Sequence, residues 1–459
     1  MTTWALITGT AIVLALPLAW RIARRRWDPF EPMVLFAIAY GAMFVARPAA
    51  IMVHGESYFW GLDILPTMPR ALVITLLGAV AFVTGYELHA GRWVAEALPA
   101  APAVNARIAA LTASGIAVLG LVALLMFLPL SNGVDSLRVL TGGRGGELAR
   151  LLEDQSTYLW YGSLVFAPAA LVLIALFLRD RRPLIGIAGL LVSALALVRV
   201  APVGGRIVLL PLLGGLLVLV YVMREKRPGP LLLAGIASAA LLGSYFIIHI
   251  RDPNDSLTVG TAAEDLRERP YVVFDPVLRS ADAEMILALS AALSVIPDEL
   301  PHRYGGATVG NLLARPVPRE VWPGKPRPPG ETVVATVWPD LYPNLNPAFS
   351  PLLAFYWDLG LAGVAIGMVL FGIGARALYE WFIRHRHMLS AQLVFAIGLW
   401  FVVIGARNDP VDTIVLAMFL VAPIVAIVAL ASSGAAARHL DSTHRDPATA
   451  ANTTSGPRR

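Results

Sequence analysis

The chain of 459 residues contains no cysteine, which excludes disulfides, thiolate nucleophiles and cysteine-ligated metals. Charge is also scarce: 15% of the residues are Asp, Glu, Lys or Arg against 57% hydrophobic, and mean hydropathy is +0.68. That balance excludes an ordinary soluble globular protein. No Asp-x-Asp, His-x-x-x-His or compact carboxylate cluster occurs, so neither a metal nor another cofactor is expected. The net charge of +5 is scattered over many loops, which points away from a nucleic-acid interface.

Long apolar runs stand in place of these. A run of about 20 apolar residues crosses a bilayer as a helix, because only a helix satisfies its own backbone polar groups in lipid. Spans are expected near 3–20, 30–46, 71–88, 108–130, 158–178, 184–202, 207–223, 231–249, 351–374, 389–406 and 412–432. The fold class expected is therefore all-α, a polytopic transmembrane bundle of about eleven helices. The first run is expected to be retained as a span and is a poor signal peptide, since its basic cluster (Arg21, Arg24, Arg25, Arg26) follows the apolar stretch. Positive charge in short linkers marks the cytoplasmic side. It recurs in 91–107, 179–182, 224–227 and 376–386, which sets the N-terminus outside and the C-terminus inside. Four regions result: helices 1–8 in 1–249, a large outer loop in 250–350, helices 9–11 in 351–432, and a polar tail in 433–459 expected to be disordered.

A loop of that length escapes the charge rule, so its cations need another reason. It carries Arg251, Arg267, Arg269, Arg279, Arg303, Arg315, Arg319, Lys325 and Arg327. Arg199, Arg206 and Arg407 fall at the outer ends of spans, and Arg144 lies in a Gly142–Gly146 loop. Each taken singly is accounted for by snorkelling to headgroups. As a set they suit a pyrophosphate, which guanidinium groups grip in bidentate fashion. Arg206, at a helix start, adds free N–H groups and the helix dipole. The Gly142–Gly146 stretch lacks the Gly-Lys-Ser/Thr ending of a nucleotide loop. Residues 279–296 have helical composition and are expected on the membrane surface or packed over the bundle.

Six prolines fall between 316 and 329, and such a chain is extended and stiff. Trp322 and Trp338 are candidates for interfacial anchoring or for stacking on a sugar. Gly363, Gly367, Gly372 and Gly374 suit close helix packing. Asp409 and Asp412 flank the last outer turn and are expected to pair with Arg407.

The stretch Pro318-Arg319-Glu320-Val321-Trp322-Pro323-Gly324-Lys325-Pro326 resembles the large-outer-loop motif of Wzy-type oligosaccharide repeat-unit polymerases, relatives of the O-antigen ligases. The Gly204-Gly205-Arg206 helix start and the return as Trp357-Asp358-Leu359-Gly360-Leu361-Ala362-Gly363 are similar to that family too. The resemblance covers roughly 200–375. One departure is Thr336-Val337-Trp338-Pro339-Asp340-Leu341-Tyr342, where members often carry a Ser…Gly-Glu-x-Tyr pattern.

The resemblance implies an all-helical, lipid-dependent glycosyltransferase of GT-C-like architecture in a bacterial plasma membrane. Its implied partners are a polyprenyl-pyrophosphate-linked oligosaccharide, membrane lipids and a chain-length regulator. Arg206, Arg315, Arg319 and Lys325, with Arg279 and Arg407 in reserve, are the candidates for the pyrophosphate. Asp340 and His302 are the candidates for the catalytic base, ahead of Glu331, Asp298 and Glu299. The rival readings are an O-antigen ligase, a lipid-linked sugar flippase or permease, and a scaffold or channel subunit without chemistry. Spans apolar in their middles and an odd span count argue against a transporter of two equal halves.

Overall fold

The computed structural model describes residues 2–130, 157–200, 209–251, 259–278, 283–317, 321–322, 324–342 and 347–432. Among the described residues, eight helices are long and apolar enough to cross a membrane. They are α1 (Thr2–Ala23), α2 (Pro32–His54), α3 (Met68–Glu87), α5 (Ala106–Phe127), α6 (Leu159–Asp180), α12 (Pro351–Arg384), α13 (Leu389–Arg407) and α14 (Pro410–Ser432). Three shorter apolar helices, α7 (Pro183–Arg199), α8 (Leu210–Met223) and α9 (Pro230–Phe246), lie where the other spans are expected. Between them come α4 (Ala90–Ala97), α10 (Met285–Ala292) and α11 (Pro329–Val337). Large apolar side chains such as Leu111, Leu119, Leu184, Leu190 and Leu370 point outward, as lipid-facing side chains do. The chain is an all-α, multi-pass membrane protein.

Close packing at small residues sets the helix directions. A Cβ on Gly78 would meet Leu352 and Met368, and one on Gly372 would meet the Phe82 carbonyl and the Tyr86 amide. So α3 and α12 approach closely and run parallel, 78 beside 368 and 85 beside 372. Helix α1 also runs parallel to α3, with Gly9 beside Leu76 and Arg21 bonded to Glu87. Helix α2 opposes them: Tyr40 donates to the Thr75 carbonyl, and Glu31 accepts from Tyr86.

This arrangement sorts the charged linkers. One face gathers Arg21, Glu31, Glu87, Arg92, Glu96, Arg227, Arg376 and Arg384 in a web of ion pairs. Arg21 grips both Glu31 oxygens at 2.8 and 2.9 Å and Glu87 at 2.6 Å. Pairing of this kind is what lets charges be buried beside apolar helices. The opposite face carries Arg70, the 301–317 segment, Arg199 and the Arg407–Asp412 turn.

Several expectations change here. Of the two placements expected for 279–296, helix α10 takes the packed one and not the surface one: every one of its residues is buried, because an all-apolar, all-round face needs burial on all sides. Trp338 is not an interfacial anchor. It is 6% exposed, meets Phe59 edge-on, and donates Nε1–H to the Trp60 carbonyl at 3.1 Å. Lys325 turns back on the chain before it, its ammonium donating to the Arg315 and Val317 carbonyls at 3.0 and 2.9 Å.

Candidate functional site

Helix α12 is broken near its start. Leu359 leaves helical geometry and Gly360 takes φ +60 and ψ −144, a combination essentially confined to glycine. A break strips carbonyls one turn upstream of their helical N–H partners. The loop that packs there supplies donors. Arg303 N–H donates to the Trp357 carbonyl and Tyr304 N–H to the Asp358 carbonyl, both at 3.0 Å. Trp357 Nε1–H returns a bond to the Pro301 carbonyl at 3.0 Å.

Asp358 fixes the same loop through its side chain. Its carboxylate is 4% exposed and accepts from the Ala307 amide (2.8 Å), the Thr308 amide (3.1 Å) and the Thr308 hydroxyl (2.5 Å). Three donors on one buried carboxylate offset the cost of desolvating it.

The knot presents a polar cluster. His302 Nδ1 faces the Trp357 carbonyl at 3.1 Å. In that geometry Nδ1 carries the proton and donates, which leaves Nε2 as an acceptor. Tyr356 lies beside the imidazole, ring centroids 5.8 Å apart, and takes a hydrogen bond from Arg70. Arg303 lies over the Trp357 ring at 4.6 Å, held by cation–π attraction. Neither Arg70 nor Arg303 has a carboxylate partner among the described residues.

A second cationic group lies on the same face. Arg315 pairs with Asp412 at 2.9 Å. Burial works to lower its pKa, but Asp412, Tyr161, Asp409 and Glu331 hold it above the ordinary arginine value. Asp409 caps α14, accepting from the Val411 and Asp412 amides. Burial, reinforced by the Asp412 charge, pushes its pKa up to about 7. Arg199 is 4% exposed, bonded to the Ser163 hydroxyl at 2.8 Å and the Trp160 carbonyl at 2.9 Å, and stacked on Trp160 at 3.8 Å. All of those partners are neutral, so its charge has no carboxylate beside it among the described residues. The segment joining the two groups carries Asn311, buried at 3% exposure with neither amide atom bonded. An unsatisfied buried amide is costly.

The expected site residues separate accordingly. His302 and Arg315 sit in these two groups. Arg407 closes α13 and donates to the Asn408 side chain at 3.0 Å. Asp412, expected beside Arg407, is held by Arg315. Lys325 fastens its own loop, and Asp340 is exposed on the turn after Trp338. Arg206, Arg279, Arg319, the Gly142–Gly146 loop, the 202–205 turn and the 433–459 tail lie outside the described residues. Arg70, Tyr356, Asp358 and Asn311 were not singled out from sequence as site residues. Asp358 carried a signal, as a lone carboxylate in an apolar run two residues before a glycine. Among the described residues no group of three His, Asp or Glu side chains is placed to hold a metal ion.

The fold thus defines the class, a multi-pass α-helical membrane protein with a cation-rich loop knot on one face. No protein-family model matches the chain, and no curated protein or solved structure is significantly similar to it.

Proposed function

We propose that the protein joins polyprenyl-pyrophosphate-linked oligosaccharide repeat units at the outer face of a bacterial plasma membrane. The observation that carries this reading is that three guanidinium groups on one face have no acid partner among the described residues: Arg70 and Arg303 in the His302 cluster, and Arg199 buried apart from them. Cations held without a carboxylate are preorganised for a ligand that brings several negative charges. A lipid pyrophosphate is such a ligand.

In this reading the acceptor sugar hydroxyl loses its proton to His302 Nε2 and attacks the anomeric carbon of the donor chain. The anomeric carbon–oxygen bond breaks, and the pyrophosphate leaves with the electron pair. Its growing charge is met by the arginines. Arg206, Arg315, Arg319, Lys325, Arg279 and Arg407 remain candidates for the same anion, and Asp340 is the second candidate base. The GT-C-like resemblance and a chain-length regulator as partner belong to the same proposal.

A total of eleven crossings fits the packing. Helices α3 and α12 are parallel, so the number of crossings between them is odd. The long helices α5 and α6 alone make two; adding α7, α8 and α9 makes five.

Deleting the gene and resolving surface glycan by length tests the proposal. The expected result is acceptor carrying single repeat units. Full-length glycan stranded on its lipid carrier would assign a ligase instead, and an unchanged ladder would remove both readings.

A further inference from the structure

The face opposite the His302 knot carries a feature that the proposed function does not use. Helices α1 and α3 part near their C-terminal ends to leave a groove of about 360 Å³, open to the side. Val13, Leu16 and Trp20 line it from α1, and Val80, Val83 and Thr84 from α3. Both walls belong to helices apolar enough to cross the membrane, so the occupant's body is a hydrocarbon chain. The Arg21–Glu87 pair closes the polar end.

Just beyond that end lie Arg24, Arg25 and Arg26, all exposed and without an ion pair among the described residues. Arg21 differs, since Glu31 and Glu87 already balance it. Trp20 connects the groove to this cluster: it lines the groove and carries the Arg24 guanidinium on its ring at 4.0 Å. Basic clusters flanking a membrane helix, and basic pockets between helices, attract anionic headgroups.

We infer that this groove binds a diacyl phospholipid with an anionic headgroup, one acyl chain between α1 and α3 and the phosphate against Arg24–Arg26. A polyprenyl-linked sugar donor is disfavoured here, because the groove's polar end lies at the opposite membrane face from His302 and Arg70. The inference stands independently of the proposed reaction.

The test uses full-length protein in nanodiscs of equal phosphatidylglycerol and phosphatidylcholine, re-extracted in mild detergent, with retained lipid counted by native mass spectrometry. Phosphatidylglycerol is expected to be retained preferentially. R24Q/R25Q is expected to reduce that preference about tenfold or more. T84W, at an exposed position, fills the groove without entering the bundle and is expected to lower retention of both lipids. R181Q/R182Q, an exposed basic pair elsewhere on the same face, is expected to leave the preference intact. Equal retention of the two lipids, an equal effect of R181Q/R182Q, or undiminished retention in T84W protein that elutes as a single folded species would each overturn the inference.

Discussion

Asp358 binds three donors from a loop more than forty residues upstream, and it does so beside a break in its own helix. An amide cannot replace it, because the NH2 of Asn would face N–H or O–H donors. Asp358→Asn is expected to cost about 2–3 kcal/mol, seen as a lower unfolding midpoint in detergent; an unchanged midpoint would show that the loop is held by other means. His302 owes its acceptor nitrogen to the carbonyl that the same break exposes. H302Q protein is expected to purify folded yet transfer sugar about 100-fold more slowly or worse, read as product per unit time at saturating donor; near-normal turnover would move the base to Asp340. Asp409 gives a pH signature. Its pKa rises from 3.8 unfolded to about 7 folded, so the folded state binds the extra proton. Its contribution is present at low pH and is lost as pH rises toward and through about 7. Thermal scans at about pH 5 and 8 are expected to show that loss, and D409N to flatten it. Sequence disclosed which residues were cationic. It did not disclose partners: Arg315 and Lys325 read alike as free cations, yet one is paired with Asp412 and the other fastens backbone carbonyls 8 and 10 residues away.

The helices themselves were largely legible, because twenty-residue apolar runs have few other uses. Their packing was legible only in part. Gly372 does bring α12 onto α3 as a small residue should, whereas Gly363 and Gly367 face Phe355 of their own helix, folded over them by the kink at Leu359-Gly360. Glycine spacing records that something comes close and not which partner it is. Gly374 meets nothing within 4 Å. Gly372→Val is therefore expected to cost about 1–3 kcal/mol by forcing backbone apart, while Gly374→Val leaves the unfolding midpoint nearly unchanged; equal effects would contradict the parallel α3–α12 contact. Helix α10 was legible only as one of two placements, on the membrane surface or packed over the bundle, for a related reason. Its composition states that it is buried from all sides, but only the tertiary fold supplies a bundle to receive it.

For the whole molecule, alternation of charge and packing direction agree on two faces, and the absence of cysteine makes sidedness easy to read. Single cysteines introduced at Asp340 and at Arg181 are expected to label oppositely with a membrane-impermeant maleimide in intact cells, the first reactive and the second protected. Labelling of both, or of Arg181→Cys alone, would invert or break the topology. The proposed reaction rests on what the arginines and His302 on that face do together. Purified full-length protein, reconstituted in liposomes with polyprenyl-pyrophosphate-linked repeat unit as the sole substrate, is expected to yield a ladder of glycan lengths on a gel, with release of polyprenyl pyrophosphate. Intact repeat units alone, from protein that is folded and correctly oriented, would contradict it.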